Sequence, residues 1–122
     1  MLNLLVVDDD PDLLELVCFQ MQLAGFGVLG LPDARSIEQS ILEFAPHVVL
    51  LDIYLPGASG LDICRNLKSA LCKDIPIILY SAGKISPQAV AETKADAFIP
   101  KPFEFDQLVE KIKKFASGTP SS

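Results

Sequence analysis

Residues 4–12 read Leu-Leu-Val-Val-Asp-Asp-Asp-Pro-Asp, four apolar side chains followed at once by three acids. A short apolar run without alternation suits a strand buried on both faces. Asp10-Pro11 then marks a helix start, an acid placed to cap and a proline at the first helical position. The stretch is therefore a buried strand, an acidic crossing and a helix. Its difficulty is electrostatic, because adjacent carboxylates at the end of a buried strand repel one another.

The same alternation runs down the chain. Apolar stretches at 3–7, 26–29, 48–53, 76–80 and 97–99 predict five strands. Helical spacing predicts five helices between and after them. The first runs to about Ala24, with Leu14, Val17, Cys18 and Met21 inward, and Gly25 ends it. The second opens at Pro32-Asp33, with Ile37, Ile41, Leu42 and Phe44 on its apolar side. The third has Leu61, Cys64 and Leu67 inward; the fourth is short, over 86–94; the last begins at Pro102 and turns Phe105, Leu108, Val109, Ile112 and Phe115 to the core. Strands alternating with helices predict an α/β fold, a doubly wound, five-stranded parallel sheet with five helices on both faces. Residues 1–116 form the expected domain, and SGTPSS at 117–122 a tail or truncated linker.

Composition narrows the function. With 16 acids against 10 basic residues, the net charge of −6 argues against direct nucleic-acid binding by this chain and suits a cation or a basic partner. No apolar run approaches the roughly 20 residues of a membrane span, and the apolar start meets aspartates too early for a signal peptide. Cys18, Cys64 and Cys72 lack metal-ligand spacing and read as reduced, packed thiols of a cytoplasmic protein. His47, between Pro46 and a strand, reads as a loop or surface histidine.

In such sheets ligands sit beyond the carboxyl ends of the strands. There the first strand carries Asp8 and Asp9, the third Asp52, the fourth Ser81 and the fifth Lys101. Two carboxylates about 5 Å apart repel by about 3 kcal/mol at an effective dielectric of 20, so three require a proton or a cation. Hard oxygen donors with open positions suit Mg²⁺, which often joins carboxylate to phosphate. Such a site favours an incoming phosphoryl group, with Asp52 the nucleophile forming an acyl phosphate and Ser81 and Lys101 meeting its oxygens. Asp10 and Asp33 read as cap or turn residues and Asp62 as a solvated helix acid.

Four segments in order, LLVVDDDP, VVLLDIYLPGASGLD, IPIILYSA and ADAFIPKPF, resemble the receiver domain of bacterial two-component response regulators, the CheY-like superfamily. The resemblance implies a flavodoxin-like sheet in the order 2-1-3-4-5. It implies that Asp52 accepts a phosphoryl group from a phosphohistidine of a histidine kinase or histidine phosphotransfer protein. Asp9 would ligate Mg²⁺ directly, Asp8 mostly through water, and the Tyr54 carbonyl would complete the protein ligands beside Asp52; Mn²⁺ or Ca²⁺ could substitute. Ser81 and Phe98 match switch positions that carry phosphorylation to an output surface. The implied protein is no turnover enzyme, only self-catalysing its phosphorylation and dephosphorylation. It is a monomer or a weak phosphorylation-dependent dimer that acts on an unidentified output domain or target.

Competing readings are an aspartyl phosphohydrolase, which would need an acid where Tyr54 stands, and a vestigial module that does not use phosphate. Leu13 and Leu16, beside the core stripe of the first helix, are expected to help dock a kinase or phosphotransfer helix. Lys94 stands where the family commonly has glycine, so positive φ there would strain it.

Overall fold

A computed structural model describes residues 1–116, and the expected tail at 117–122 lies outside them. In chain order the elements are β1 (Asn3–Val7), α1 (Pro11–Leu23), β2 (Gly27–Leu31), α2 (Ile37–Phe44), β3 (Val48–Asp52), β4 (Tyr54–Leu55), β5 (Ala58–Ser59), α3 (Gly60–Lys68), β6 (Ile77–Ser81), α4 (Pro87–Glu92), β7 (Ala97–Pro100) and α5 (Phe105–Ala116). The main sheet is five-stranded and parallel, in the order β2-β1-β3-β6-β7. That is the expected 2-1-3-4-5 once the small antiparallel hairpin β4-β5 is counted.

Period-two alternation sorts the strand side chains into two apolar layers. Leu4, Val6, Val48, Leu50, Ile78 and Ile99 face one way and pack with Val17 and Met21 of α1 and Leu108 and Ile112 of α5. Leu5, Val7, Val49, Leu51, Ile77 and Leu79 face the other and pack with Ile37 and Ile41 of α2 and Cys64 and Leu67 of α3. β1, β3 and β6 are buried almost throughout, as two-sided burial requires. Cys64 and Cys72 are buried free thiols and Cys18 a half-buried one, as expected.

Several boundaries differ from expectation. β2 runs to Leu31 rather than ending at Leu29, because parallel pairing with β1 continues through Val6–Gly30 and Val7–Leu31. Gly30 is no break; a Cβ there would lie 2.8 Å from Cys18 Sγ, so its bareness lets α1 close on the sheet. α2 starts at Ile37, not at Pro32-Asp33. Asp33 instead accepts the Arg35 N–H at 2.9 Å and pairs with its guanidinium, a local turn that holds the chain out of helix. One turn later, Leu42 faces solvent at 69% exposure rather than the core. α5 starts at Phe105, two residues beyond the cis Lys101-Pro102 bond and Phe103, rather than at Pro102.

Lys94 follows the α4 C-cap Thr93 with φ of 63° and an exposed side chain, so the left-handed position is occupied by lysine. A Cβ in that region costs about 1–2 kcal/mol. Lys94→Gly is expected to raise unfolding stability by about 0.5–1 kcal/mol, after the extra chain entropy of glycine. Urea denaturation checks this; an unchanged or lower midpoint would contradict it.

Candidate functional site

The acid cluster is built by continuing one face of the sheet past its carboxyl edge. Asp8 and Asp52 have the parity of Val6 and Leu50, the layer beneath α1 and α5. Tyr80 and Lys101 extend the same face from β6 and β7. Two backbone closures fix the rims. The Asp8 N–H donates to the Leu31 carbonyl at 3.1 Å, and the Ile53 N–H donates to the Tyr80 carbonyl at 3.1 Å. Gly60 is required where α3 meets β3, since a Cβ would fall 2.2 Å from the Asp52 carbonyl oxygen.

Asp8, Asp9 and Asp52 each offer a carboxylate oxygen, and these oxygens lie within 4.8 Å of one another. Asp8 and Asp52 are buried and Asp9 is exposed, so the cluster opens to solvent on one side. Lys101 Nζ bridges the buried pair, 3.2 Å from Asp8 Oδ2 and 3.2 Å from Asp52 Oδ2. Asp52 Oδ1 accepts the Tyr54 N–H at 3.1 Å. Burial pushes the Asp52 carboxyl above its ordinary range; the Tyr54 N–H and the Lys101 ammonium oppose that, and the Asp8 charge adds to it.

Ser81 is buried at the end of β6, and its Oγ accepts the Gly83 N–H at 3.0 Å. The Lys101 N–H donates to the Ser81 carbonyl at 2.8 Å, which ties the lysine's backbone to the strand that carries the hydroxyl. Tyr54 is 54% exposed, and its ring lies over Gly83, where an added Cβ would meet Cε2 at 2.8 Å. Phe98 stands apart from the acids, half-buried against the layer of Leu79 and Cys64 on the opposite face. Asp10 caps α1 as expected, its Oδ1 accepting the Asp12 and Leu13 N–H groups. Asp62 pairs with Arg65 on an exposed helix face, and exposed His47 accepts the Asn3 N–H.

Sequence reasoning missed Tyr80. Its phenol is fully buried and donates to Asp8 Oδ2 at 2.5 Å, while Lys101 Nζ sits 4.4 Å from the ring centroid. Burial, then the bond to Asp8, raises its pKa, so the phenol stays a donor. The available signal was a hydroxylated aromatic in an otherwise aliphatic strand, one residue before Ser81.

Between α1 and the chain after β7 lies a groove of about 430 Å³, lined by Leu13, Ala82, Lys101, Pro102 and Phe103. Leu16 is exposed on the same helix. Among the described residues, no helix is long and apolar enough to cross a membrane.

The profile described as "Response regulator receiver domain" matches residues 4–113. The phosphate regulon transcriptional regulatory protein PhoB of Klebsiella pneumoniae is 38% identical over 114 residues, which is 91% of this chain and 50% of that protein. The DNA-binding response regulator MtrA of Mycolicibacterium smegmatis is 34% identical over 113 residues, 91% of this chain and 49% of that one. The chain thus spans about half the length of the curated relatives it matches. The crystal structure of response regulator TrrA of Thermotoga maritima, in complex with Mg²⁺ and BeF, aligns with a TM-score of 0.85 and 32% identity over 94% of this chain and 99% of that one. The acid cluster occurs on a fold whose relative carries Mg²⁺, and its oxygen donor set has the hardness such a cation prefers. By profile, by relatives and by fold, this chain belongs to the response regulator receiver domains, the phosphoacceptor modules of two-component signalling.

Proposed function

We propose that Asp52 is the phosphoacceptor, taking a phosphoryl group from a phosphohistidine of a histidine kinase or histidine phosphotransfer protein. A single observation carries this reading: Asp52 is buried, its Oδ1 held by the Tyr54 N–H and its Oδ2 by the one ammonium that also holds Asp8. An Asp52 oxygen attacks phosphorus, the P–N bond breaks, and the imidazole leaves with its electron pair to give an aspartyl acyl phosphate. Lys101 moves from Asp52 to a phosphoryl oxygen, and the Ser81 hydroxyl turns from the Gly83 N–H to another. Asp9, Asp52 and the Tyr54 carbonyl would hold Mg²⁺ directly and Asp8 mostly through water; when bound, the ion neutralises charge developing on the transferring group. Mn²⁺ or Ca²⁺ would substitute, with looser geometry.

Movement of Ser81 and Lys101 toward phosphate would pull on β6 and β7, and Phe98 of β7 would turn inward in response. The output side is an attached domain or a separate target; relatives of about twice this length are DNA-binding regulators. Leu13 and the apolar groove it lines beside Lys101, with Leu16 exposed on the same helix, suit the donor helix. The chain would act as a monomer or a weak phosphorylation-dependent dimer, as a phosphoacceptor with only self-catalysed transfer and dephosphorylation. Residues 1–116 would form the receiver domain.

Incubation with Mg²⁺ and a small acyl phosphate tests the reading. A transient mass gain of one phosphoryl group, lost when EDTA is present, is expected. No gain would favour a vestigial module, and steady turnover of varied phosphate esters would favour a phosphohydrolase.

Tyr54 controls how long the acyl phosphate lasts, because its ring lies over the Ser81–Gly83 side where water must approach. Tyr54→Asn is expected to shorten the phosphoryl half-life about five-fold, about 1 kcal/mol of barrier, without preventing phosphorylation. An unchanged decay of label would refute this.

A further inference from the structure

Asp8 carries more donors than any neighbouring acid, and the more rigid of its two side-chain donors is a phenol. Its Oδ1 accepts the Asp10 N–H at 2.9 Å, and its Oδ2 accepts both Tyr80 OH and Lys101 Nζ. The ammonium ends a flexible chain and can leave for a phosphoryl group. The phenol cannot follow it. Its ring sits in β6, fully buried, with the Phe103 ring set edge-on at 6.1 Å and the Lys101 ammonium over its face. Asp8 therefore keeps one donor on each oxygen when a cation arrives, and its carboxylate has little freedom to swing onto that cation.

We propose that Tyr80 sets the cation preference of the site by holding Asp8 in contact with the metal's water instead of the metal itself. The proposal rests on the acid cluster being a divalent-cation site. Mg²⁺ is small, keeps several waters and needs only one or two carboxylates, whereas Ca²⁺ takes six to eight oxygens and gains from each additional carboxylate. A pinned Asp8 suits the first ion and denies a ligand to the second. Tyr80 is then a positioning residue: it touches neither the cation nor the phosphoryl group and acts through the orientation of Asp8.

Calorimetric titration of Mg²⁺ and Ca²⁺ into wild type and Tyr80→Phe, with no phosphoryl donor present, tests this. Phenylalanine keeps the ring against Phe103 and Lys101 and removes only the hydroxyl; Tyr80→Met provides a second side chain without a hydroxyl should the first fail to fold. The expected result is a rise of about five-fold in Ca²⁺ affinity relative to Mg²⁺, as Asp8 Oδ2, left with only the flexible Lys101 ammonium, turns to ligate directly. An unchanged ratio overturns the proposal, including one in which both affinities fall together, as a merely structural role for Tyr80 would produce. A shift toward Mg²⁺ overturns it as well. If wild type binds neither cation, the reading of the cluster falls and the proposal with it; wild type that binds Mg²⁺ beside an unmoved ratio sinks the proposal alone.

Discussion

Asp52→Asn abolishes the phosphoryl gain and, without divalent cation, melts at a higher temperature than wild type. The first effect follows from chemistry: an amide oxygen is no nucleophile toward phosphorus at neutral pH, and Asp8, its two oxygens already held by the Asp10 N–H, the Tyr80 phenol and Lys101, does not take over. The second follows from charge. Three carboxylates face one bridging ammonium, and removing one charge leaves Lys101 paired with Asp8. The amide still accepts the Tyr54 N–H and keeps the volume. Relief of repulsion among groups about 5 Å apart is worth about 1 kcal/mol after loss of the Lys101–Asp52 attraction, or roughly 4 °C in a domain of this size. The pH dependence has a definite sign. Burial holds the folded Asp52 pKa above its ordinary value of 3.8, so the folded state binds protons more readily than the unfolded chain. Wild type therefore loses stability as pH rises from that value through the raised one. The advantage of asparagine is smallest below the ordinary carboxylate value, where Asp52 is protonated in both states, and grows as pH rises through the raised one. Calorimetric scans across this range in EDTA, with mass measurement of phosphorylation, check both parts. A persisting phosphoryl gain, or a variant less stable at every pH, would contradict them.

The strand ends were legible because each acid follows an apolar run at once, and parallel pairing aligns those ends on one edge. Asp8, Asp9, Asp52, Ser81 and Lys101 could be grouped without coordinates for that reason. Tyr80 could not. A lone aromatic in a buried strand reads as core, and only the register that pairs Asp52 with Tyr80 brings its hydroxyl to Asp8. Local turn chemistry misled in the opposite direction. Pro32-Asp33 has the look of a helix start, but the Asp33–Arg35 ion pair and hydrogen bond close a turn there and delay α2 to Ile37. At the other end of α2, Ala45 takes φ of 52° as the C-cap, a position where sequence leads one to expect glycine or asparagine. Its N–H reaches the Ile41 carbonyl at 3.1 Å, and Pro46 follows buried, so tertiary packing overrides the local preference. Lys94 differs, because there the departure from glycine was visible in the sequence, and the positive φ that makes it costly is what the structure adds.

Lys101→Met is expected to lose about 3 kcal/mol of stability in EDTA, and to regain much of it in Mg²⁺. In the absence of a divalent cation, Lys101 is the charge that makes the cluster tolerable: its Nζ lies 3.2 Å from each of two buried carboxylates, with its own side chain only 15% exposed. Methionine keeps the length and the contact with the Tyr80 face but leaves Asp8 and Asp52 facing one another with no counter-charge. Breaking a buried pair costs more than the pair contributes, because the surviving charges remain desolvated. A divalent cation supplies the missing charge, and a ligand that binds only the folded state adds stability by mass action. Protons offer a second route. With the ammonium gone, the Asp52 pKa rises further, so the variant gains stability relative to wild type as pH falls through that raised value. Urea denaturation at two pH values, each with EDTA and with Mg²⁺, separates these effects. Equal destabilisation under all four conditions would mean that Lys101 contributes packing alone, and that the repulsion among the three aspartates is relieved by something other than its charge.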